Sequence, residues 1–311
     1  MRSVILYIVT VLIWGSTWLA IEFQLGVVAP EVSLVYRFAI AAVLMWAYCW
    51  WKQLNMKYSP RDHFFFVALA SCNFGFNYLI LYWAQAYLTS AMTSIAFSTL
   101  LIMNIINTRL WFGRPISGRI YVGATLGLMG IVALFWLDIK SLDWSSDAMF
   151  GLGLALGGTV VASFGNMTSL RNSRRQIGVM QGNAWGMFYG AVILTLVVFF
   201  TGAEFNFDFA VPYVTSLLYL SIFGTVIAFA CYFVLLKEIG PEKASYSTVM
   251  FPVVAVALSM AFEGFVWQEN TVLGFVLVLL GNIIVLTPTK KIRTFLRRFE
   301  RLPEISRQGA D

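Results

Sequence analysis

The chain has 311 residues, 59% of them hydrophobic and 12% charged, with a formal net charge of +6 and a mean hydropathy of +0.78. Soluble domains are about half apolar and a quarter charged, so these charges are too few to cover a globular surface. The composition therefore points to a multi-pass membrane protein with the lipid bilayer as its surroundings, and no nucleic-acid partner is expected.

A membrane-crossing helix needs about 20 mostly apolar residues. Ten segments qualify, at roughly 4–22, 32–51, 63–84, 89–111, 119–137, 149–169, 179–201, 212–235, 244–264 and 271–288. The first resembles a signal peptide in hydropathy alone, but similar spans follow it and no cleavage-type segment does. Connections are short, so no soluble domain is expected between spans. Backbone groups in lipid must bond internally, which makes the expected fold an all-α helical bundle.

Basic residues orient the spans. With the N-terminus in the cytoplasm, nineteen of the twenty-one Lys and Arg fall on one side. Seven of these lie in a basic tail over 290–311, expected to rest on anionic headgroups. The outer loops hold Lys140 against acids such as Glu31, Asp143 and Glu204. Both termini are expected in the cytoplasm.

Two halves resemble each other. Gly123 and Gly130 in span five match Gly274 and Gly281 in span ten, Trp14-Gly15 matches Phe164-Gly165, and Thr93-Ser94 matches Ala244-Ser245. The offset is near-constant at about 150 residues, a repeat signal. Each half holds five spans, an odd number, so the second must enter the membrane inverted. The expected architecture is ten transmembrane helices in two inverted five-helix repeats, 1–147 and 148–289, followed by the tail. Inverted repeats place solute sites near the midplane between the halves.

Four of the eight prolines fit as span starts: Pro30, Pro115, Pro212 and Pro241. Pro252 alone falls mid-span, in span nine, and is a candidate gating hinge.

Span three separates its polar residues by face. At 100° per residue, Asn73, Asn77, Tyr78, Tyr82 and Gln85 share one half of the helix, and Leu79, Cys72, Trp83, Phe76 and Ile80 the other. Such a face either bonds neighbouring helices or lines a cavity able to stack an aromatic solute. Span four carries Ser90, Thr93, Ser94, Phe97, Leu101 and Asn104 on one stripe, and span nine carries Ser245, Thr248 and Pro252, flanked by Tyr246 and Met250. Close helix approach accounts for most of the serines and for Gly153, Gly157 and Gly158. Tyr246 and Met250 are large, adaptable surfaces near the repeat interface.

Arg37, inside span two, has two readings. It snorkels outward to pair with Glu22 or Glu31, or it offers a guanidinium to a carboxylate along a pathway.

Absences narrow the chemistry. No carboxylate lies mid-span; Glu22 and Glu263 both sit near outer ends. Proton-driven exporters of cationic drugs usually need such an acid, so uniport or exchange is the expected coupling. No catalytic carboxylate pair, histidine triad, phosphate-cradling glycine loop or selectivity-filter sequence occurs, so no enzyme activity is expected. His63 is the single histidine and Cys49, Cys72 and Cys231 lack ligand spacing, so neither metal nor cofactor is expected.

The Trp14-Gly15-Ser16-Thr17 run, Pro30 followed by Arg37-Phe38, Thr89-Ser90-Ala91 and the paired Gly-x6-Gly spans, in that order, resemble the drug/metabolite transporter (DMT) superfamily, EamA-type. The resemblance covers residues 1–290. Within it, the chain is similar to bacterial aromatic amino-acid exporters, on overall similarity and on its tyrosine-rich third span. The chain departs from the family at Leu100-Leu101-Ile102-Met103, where a proline is common, and at Glu263-Gly264-Phe265, where Gly-Glu is common. The resemblance implies spans one, three, four, six, eight and nine around a central cavity, with spans five and ten at the periphery.

The expected function is export of amino acids, aromatic ones foremost, across the bacterial inner membrane by alternating access. Export of drug-like or other metabolites, and a non-transporting scaffold, are the alternatives. The expected substrate-binding residues are Trp14, Asn77, Tyr78, Tyr82, Phe97, Tyr246 and Met250, with polar contacts from Ser16, Ser94 and Asn166. Arg37 and Pro252 are the expected carboxylate contact and gate. Gly15 and Gly165 should permit close helix approach, and Trp18 should be wall rather than site. A homo-oligomer is open, because the glycines of spans five and ten can pack within or between subunits.

Overall fold

The computed structural model describes residues 1–88, 93, 96–113, 115–134, 136–141, 146–262 and 269–286. Ser94, the Thr89-Ser90-Ala91 run, Glu263-Gly264-Phe265 and the basic tail lie outside the described residues. Among the described residues all regular structure is helical. The longer helices are α1 (Arg2–Glu22), α2 (Pro30–Trp51), α3 (Pro60–Ala84), α4 (Leu100–Phe112), α5 (Gly118–Leu134), α6 (Ser146–Arg174), α7 (Val179–Thr201), α8 (Val211–Ile239), α9 (Tyr246–Phe262) and α10 (Glu269–Leu286). Six of them, α1, α2, α3, α6, α7 and α8, are long and apolar enough to cross a membrane, and α5 and α10 hold shorter apolar stretches, Gly118–Ala133 and Val272–Val285.

Local chemistry fixes several ends. Pro30 opens α2 and Pro60 opens α3, where a missing N–H is harmless. Ser59 caps α3 by accepting from the Asp62 N–H at 3.2 Å and donating to the Asp62 carboxylate at 2.7 Å. Gly113 and Gly202 stop α4 and α7 in the left-handed region, at φ 61° and 71°.

The packing repeats itself between halves. α2 packs on α7 and α5 on α10, both over extensive contacts. Each pairs a helix with its counterpart from the other half, as a pseudo-two-fold axis between the halves requires. α1 against α9 is matched by α6 against α4, and α1 against α8 by α6 against α3. α3 and α8 both contain a π-helical turn, at Ala70–Gly75 and Ile222–Ile227, so this irregularity is duplicated too.

The α5–α10 seam is built from glycine. A Cβ on Gly123 would lie 2.8 Å from the Gly281 carbonyl, and one on Gly130 would lie 2.8 Å from that of Gly274. These backbones touch because no side chain separates them. The paired glycines thus pack within one subunit. α2, α7 and the aromatic residues of α1, α3 and α8 form the larger buried cluster, which includes Trp14, Phe38, Phe74 and Phe229.

One end of the bundle gathers the chain's N-terminus with the far ends of α6 and α8. Arg2 pairs with Glu238 at 3.5 Å, and Arg171 with Asp62 at 3.5 Å. At the opposite end Gln24 donates to the Tyr213 carbonyl at 3.0 Å, and Tyr36 to that of Asn206 at 2.8 Å.

Candidate functional site

A cavity lies between the halves, with about 620 Å³ of empty space measured to the surrounding atoms and including its mouth. Among the described residues its lining comes from α1, α3, α6, α8, α9 and the chain around α4, and none comes from α5 or α10. α1 supplies Trp14, Thr17, Trp18 and Ile21, one stripe at i, i+3, i+4 and i+7. α3 supplies Asn73, Asn77, Tyr78, Leu81 and Tyr82, with Gln85 at its end. Phe97 and Leu100 come from the α4 region, and Ala162 and Asn166 from α6. Phe229 and Tyr232 of α8 and Phe251 of α9 complete the wall.

Aromatic rings hold one another in place around this space. The Trp14 ring meets Phe229 edge-on at 4.9 Å, Tyr232 at 4.9 Å and Phe251 at 5.8 Å. Its indole N–H donates to the Gly224 carbonyl at 2.9 Å, within the π-helical turn of α8. Across the cavity Trp18 meets Phe97 at 5.9 Å. Such contacts add about 0.5–1.5 kcal/mol per pair beyond burial, so the wall is pre-organised.

Below the cavity, towards the end that carries the N-terminus, the space closes on a chain of hydrogen bonds. Asn73 donates to Asn166 at 3.3 Å, and Asn166 to the Tyr232 hydroxyl at 3.1 Å. Tyr232 lies 3.4 Å from Ser245, which accepts from Asn104. Ser163 donates to Asn104 at 2.7 Å and accepts from Asn107 at 2.8 Å. Seven buried side chains on α3, α4, α6, α8 and the start of α9 are thus linked into one floor.

The walls above are different. Trp18 Nε1, Asn77 Oδ1 and both amide atoms of Gln85 are buried with no hydrogen-bond partner among the described residues. Buried polar atoms are nearly always paired, and these four line the same cavity. They form a set of unsatisfied donors and acceptors on residues that line the cavity.

Arg37 sits one side chain behind the wall. It is 1% exposed. Its Nε donates to Thr225 at 2.8 Å, its Nη1 to the Tyr82 hydroxyl at 3.4 Å, and its guanidinium carbon lies 4.6 Å from the centre of the Tyr78 ring. The snorkelling reading is thereby corrected: Arg37 points inward, and Glu31 instead accepts from Thr201 at 3.1 Å. Thr225 belongs to the π-helical turn of α8, whose extra residue presents this hydroxyl to α2.

Of the residues singled out from sequence, Trp14, Asn77, Tyr78, Tyr82, Phe97 and Asn166 line the cavity together. Three do not. Ser16 turns away from it, with its hydroxyl 2.8 Å from the Ile13 carbonyl and 2.6 Å from the Tyr219 hydroxyl. Tyr246 is fully buried in the α5–α10 seam, where it donates to the Gly123 carbonyl at 3.0 Å. Met250 is half-buried and packs between the two hydrophobic clusters. Helix α9 runs unbroken through Pro252. Gly15 and Gly165 do allow close approach: a Cβ there would fall 2.6 Å from Val254 Cβ and 2.5 Å from Asn73 Oδ1.

Sequence reasoning missed Trp18 as lining, and Phe229, Tyr232 and Phe251 altogether. Trp18 was legible, because it is one turn from Trp14 on the same stripe. The α8 pair was signalled only by aromatic residues at i and i+3 in an apolar helix.

The chain resembles known proteins along nearly its whole length. Protein PagO of Salmonella typhimurium is 22% identical over 282 residues, covering 91% of this chain and 92% of PagO. The uncharacterized transporter YoaV of Bacillus subtilis is 25% identical, covering 90% and 96%. The uncharacterized inner membrane transporter YedA of Escherichia coli K12 is 26% identical, covering 90% and 91%. A crystal structure superposes with a TM-score of 0.77 at 16% identity, over 96% of this chain and 98% of that one, which shows a shared fold. Residues 1–136 and 149–287 each match one family, leaving out the short connection between the repeats. A bundle doubled about a central cavity, in a chain of this composition, has a membrane transporter's construction, and the chain belongs to the EamA-like transporter family.

Proposed function

We propose that this transporter exports amino acids, aromatic ones foremost, across the bacterial inner membrane by alternating access of the cavity between the two repeats. The observation that carries the reading is the pairing of aromatic walls with unpartnered amide and indole groups in one cavity. Rings of Trp14, Trp18 and Phe97 offer faces and edges to an aromatic side chain. Asn77 and Gln85 offer acceptors and donors to its polar end. The description of YedA as an inner membrane transporter supports the location. The clustering of basic residues at the N-terminal end of the bundle supports cytoplasmic termini.

The hydrogen-bonded floor lies at the proposed cytoplasmic side, so the described arrangement is closed inward. Among the described residues the cavity has no carboxylate in its lining, which favours uniport or exchange over proton coupling through a buried acid. Liposomes containing the purified chain and preloaded with labelled phenylalanine or tryptophan test the proposal. Release should exceed that from protein-free liposomes several-fold; equal release overturns the substrate assignment.

A further inference from the structure

The geometry points to the carboxylate, rather than the ammonium, as the recognised polar group, and so to simple aromatic monocarboxylates as a second substrate class. This inference rests on the cavity being the solute site, as proposed above.

The argument starts from charge. Arg37 is a fully buried cation. Among the described residues the ion pairs are Arg2 with Glu238 and Arg171 with Asp62, and neither involves Arg37. Its partners are two hydroxyls and an aromatic face. Hydroxyl dipoles and a ring quadrupole stabilise a guanidinium, but they leave its net charge uncancelled in a medium where charge is costly to bury. The field from that charge falls on the cavity, since Tyr78 and Tyr82, the side chains touching Arg37, form part of its wall.

Tyr82 transmits the charge directionally. Its hydroxyl oxygen accepts from Arg37 Nη1, so its own proton has no acceptor among the described residues and is free to point at a solute. Donating to a carboxylate would complete a relay from guanidinium to phenol to anion, with each donor strengthened by the last. A carboxylate here is attracted twice, by the hydroxyl and by the uncancelled cation behind it.

The ammonium of an amino acid finds no such counterpart. Among the described residues the cavity lining holds no Asp or Glu; its acceptors there are amide oxygens such as Asn77 Oδ1 and Gln85 Oε1. Removing the ammonium from a bound aromatic amino acid forfeits neutral acceptors only and relieves repulsion from Arg37. Removing the carboxylate forfeits the charge-assisted contact and leaves a cation facing a cation.

Three ligands that share a phenyl ring decide the matter: phenylalanine, 3-phenylpropionate, which lacks the amine, and phenethylamine, which lacks the carboxylate. Calorimetric titration of the purified full chain measures binding without interference from passive membrane permeation. Phenylpropionate should bind at least as tightly as phenylalanine, and phenethylamine about tenfold or more weaker. Tyr82→Phe keeps the ring and should weaken phenylpropionate about tenfold while leaving phenethylamine unchanged. Arg37→Lys should keep the preference for the acid, and Arg37→Gln should abolish it. Should the Arg37 variants fail to fold, the wild-type series and Tyr82→Phe still decide.

Phenethylamine binding as tightly as phenylpropionate overturns the inference. Phenylalanine transport without phenylpropionate binding also overturns it and leaves the amino-acid reading standing. Phenylpropionate binding without phenylalanine transport overturns the amino-acid reading and supports the inference. Failure of both ligands overturns both.

Discussion

The hydroxyl of Ser98 donates to the main-chain carbonyl of Thr248 at 3.2 Å. That carbonyl stands four residues before Pro252, which has no N–H to offer it. A bond missing within α9 is thus replaced from the neighbouring chain segment, and the helix continues through the proline. The proline therefore couples two helices in this arrangement. Ser98→Ala should lower stability by about 0.6–1 kcal/mol, in the range of interhelical hydrogen bonds in membranes. In a Pro252→Ala background the helix satisfies its own carbonyl, and the same change should cost much less. A double-mutant cycle read by thermal unfolding in detergent checks this, and additive effects would sever the link between the two residues.

Gly165 holds the amide of Asn73 at the cavity floor. A methyl group at 165 would lie 2.4–2.7 Å from three atoms of that amide, so Gly165→Ala must displace it. Asn73 would then lose its bond to Asn166, and the floor its first link. The expected outcome is a fall in transport rate of about tenfold or more, accompanied by a stability loss of about 1–3 kcal/mol from overpacking. Transport and unfolding measured side by side check it. Unchanged transport would show that Asn73 has no part in the cycle.

Tyr246 belongs to the scaffold. Its hydroxyl bonds the Gly123 carbonyl in the glycine seam, and no part of it lines the cavity. Tyr246→Phe should lower stability by about 0.5–1.5 kcal/mol and leave the relative transport of different solutes unaltered. Gly123→Ala should be worse, because its Cβ would meet both Val285 and the Gly281 backbone. A change in solute preference with Tyr246→Phe, seen in a competition panel, would return this residue to the binding wall.

The long apolar helices were legible because apolar length is a direct consequence of the bilayer, and the doubled family match because glycine and aromatic pairs recur at a near-constant offset. Boundaries moved where burial is in protein rather than in lipid. Helix α6 runs to Arg174, about a turn beyond the expected span, since Thr168, Ser169, Asn172 and Ser173 are buried against neighbouring helices. The α3 face was legible because its polar residues cluster by angle, and the cavity lies there. Ser16 misled because a serine in a helix can bond its own preceding turn, which residue type alone does not reveal. Tyr246 misled because a large side chain opposite glycines fills the space they leave, and those glycines lie on α5 and α10. The π-helical turns, which bring Asn73 and Thr225 to their places, have no periodic signature to read.

Asn104 should act as the latch of the floor. Its amide donates to Ser245 and its carbonyl oxygen accepts from Ser163 at 2.7 Å, so one side chain ties α4 both to the start of α9 and to α6. Asn104→Leu removes both bonds while keeping similar volume, and leaves Ser163 without its acceptor and Ser245 without a donor. Opening the floor to water then satisfies those groups, so the substitution biases the bundle away from the inward-closed arrangement. Hydrogen exchange should rise at the neighbouring ends of α4, α8 and α9 and stay unchanged in α5 and α10. Asn104→Asp, which keeps the acceptor but replaces the amide donor, should fall between the two. Exchange that rises uniformly across the bundle would instead mark general destabilisation and remove the latch from the mechanism.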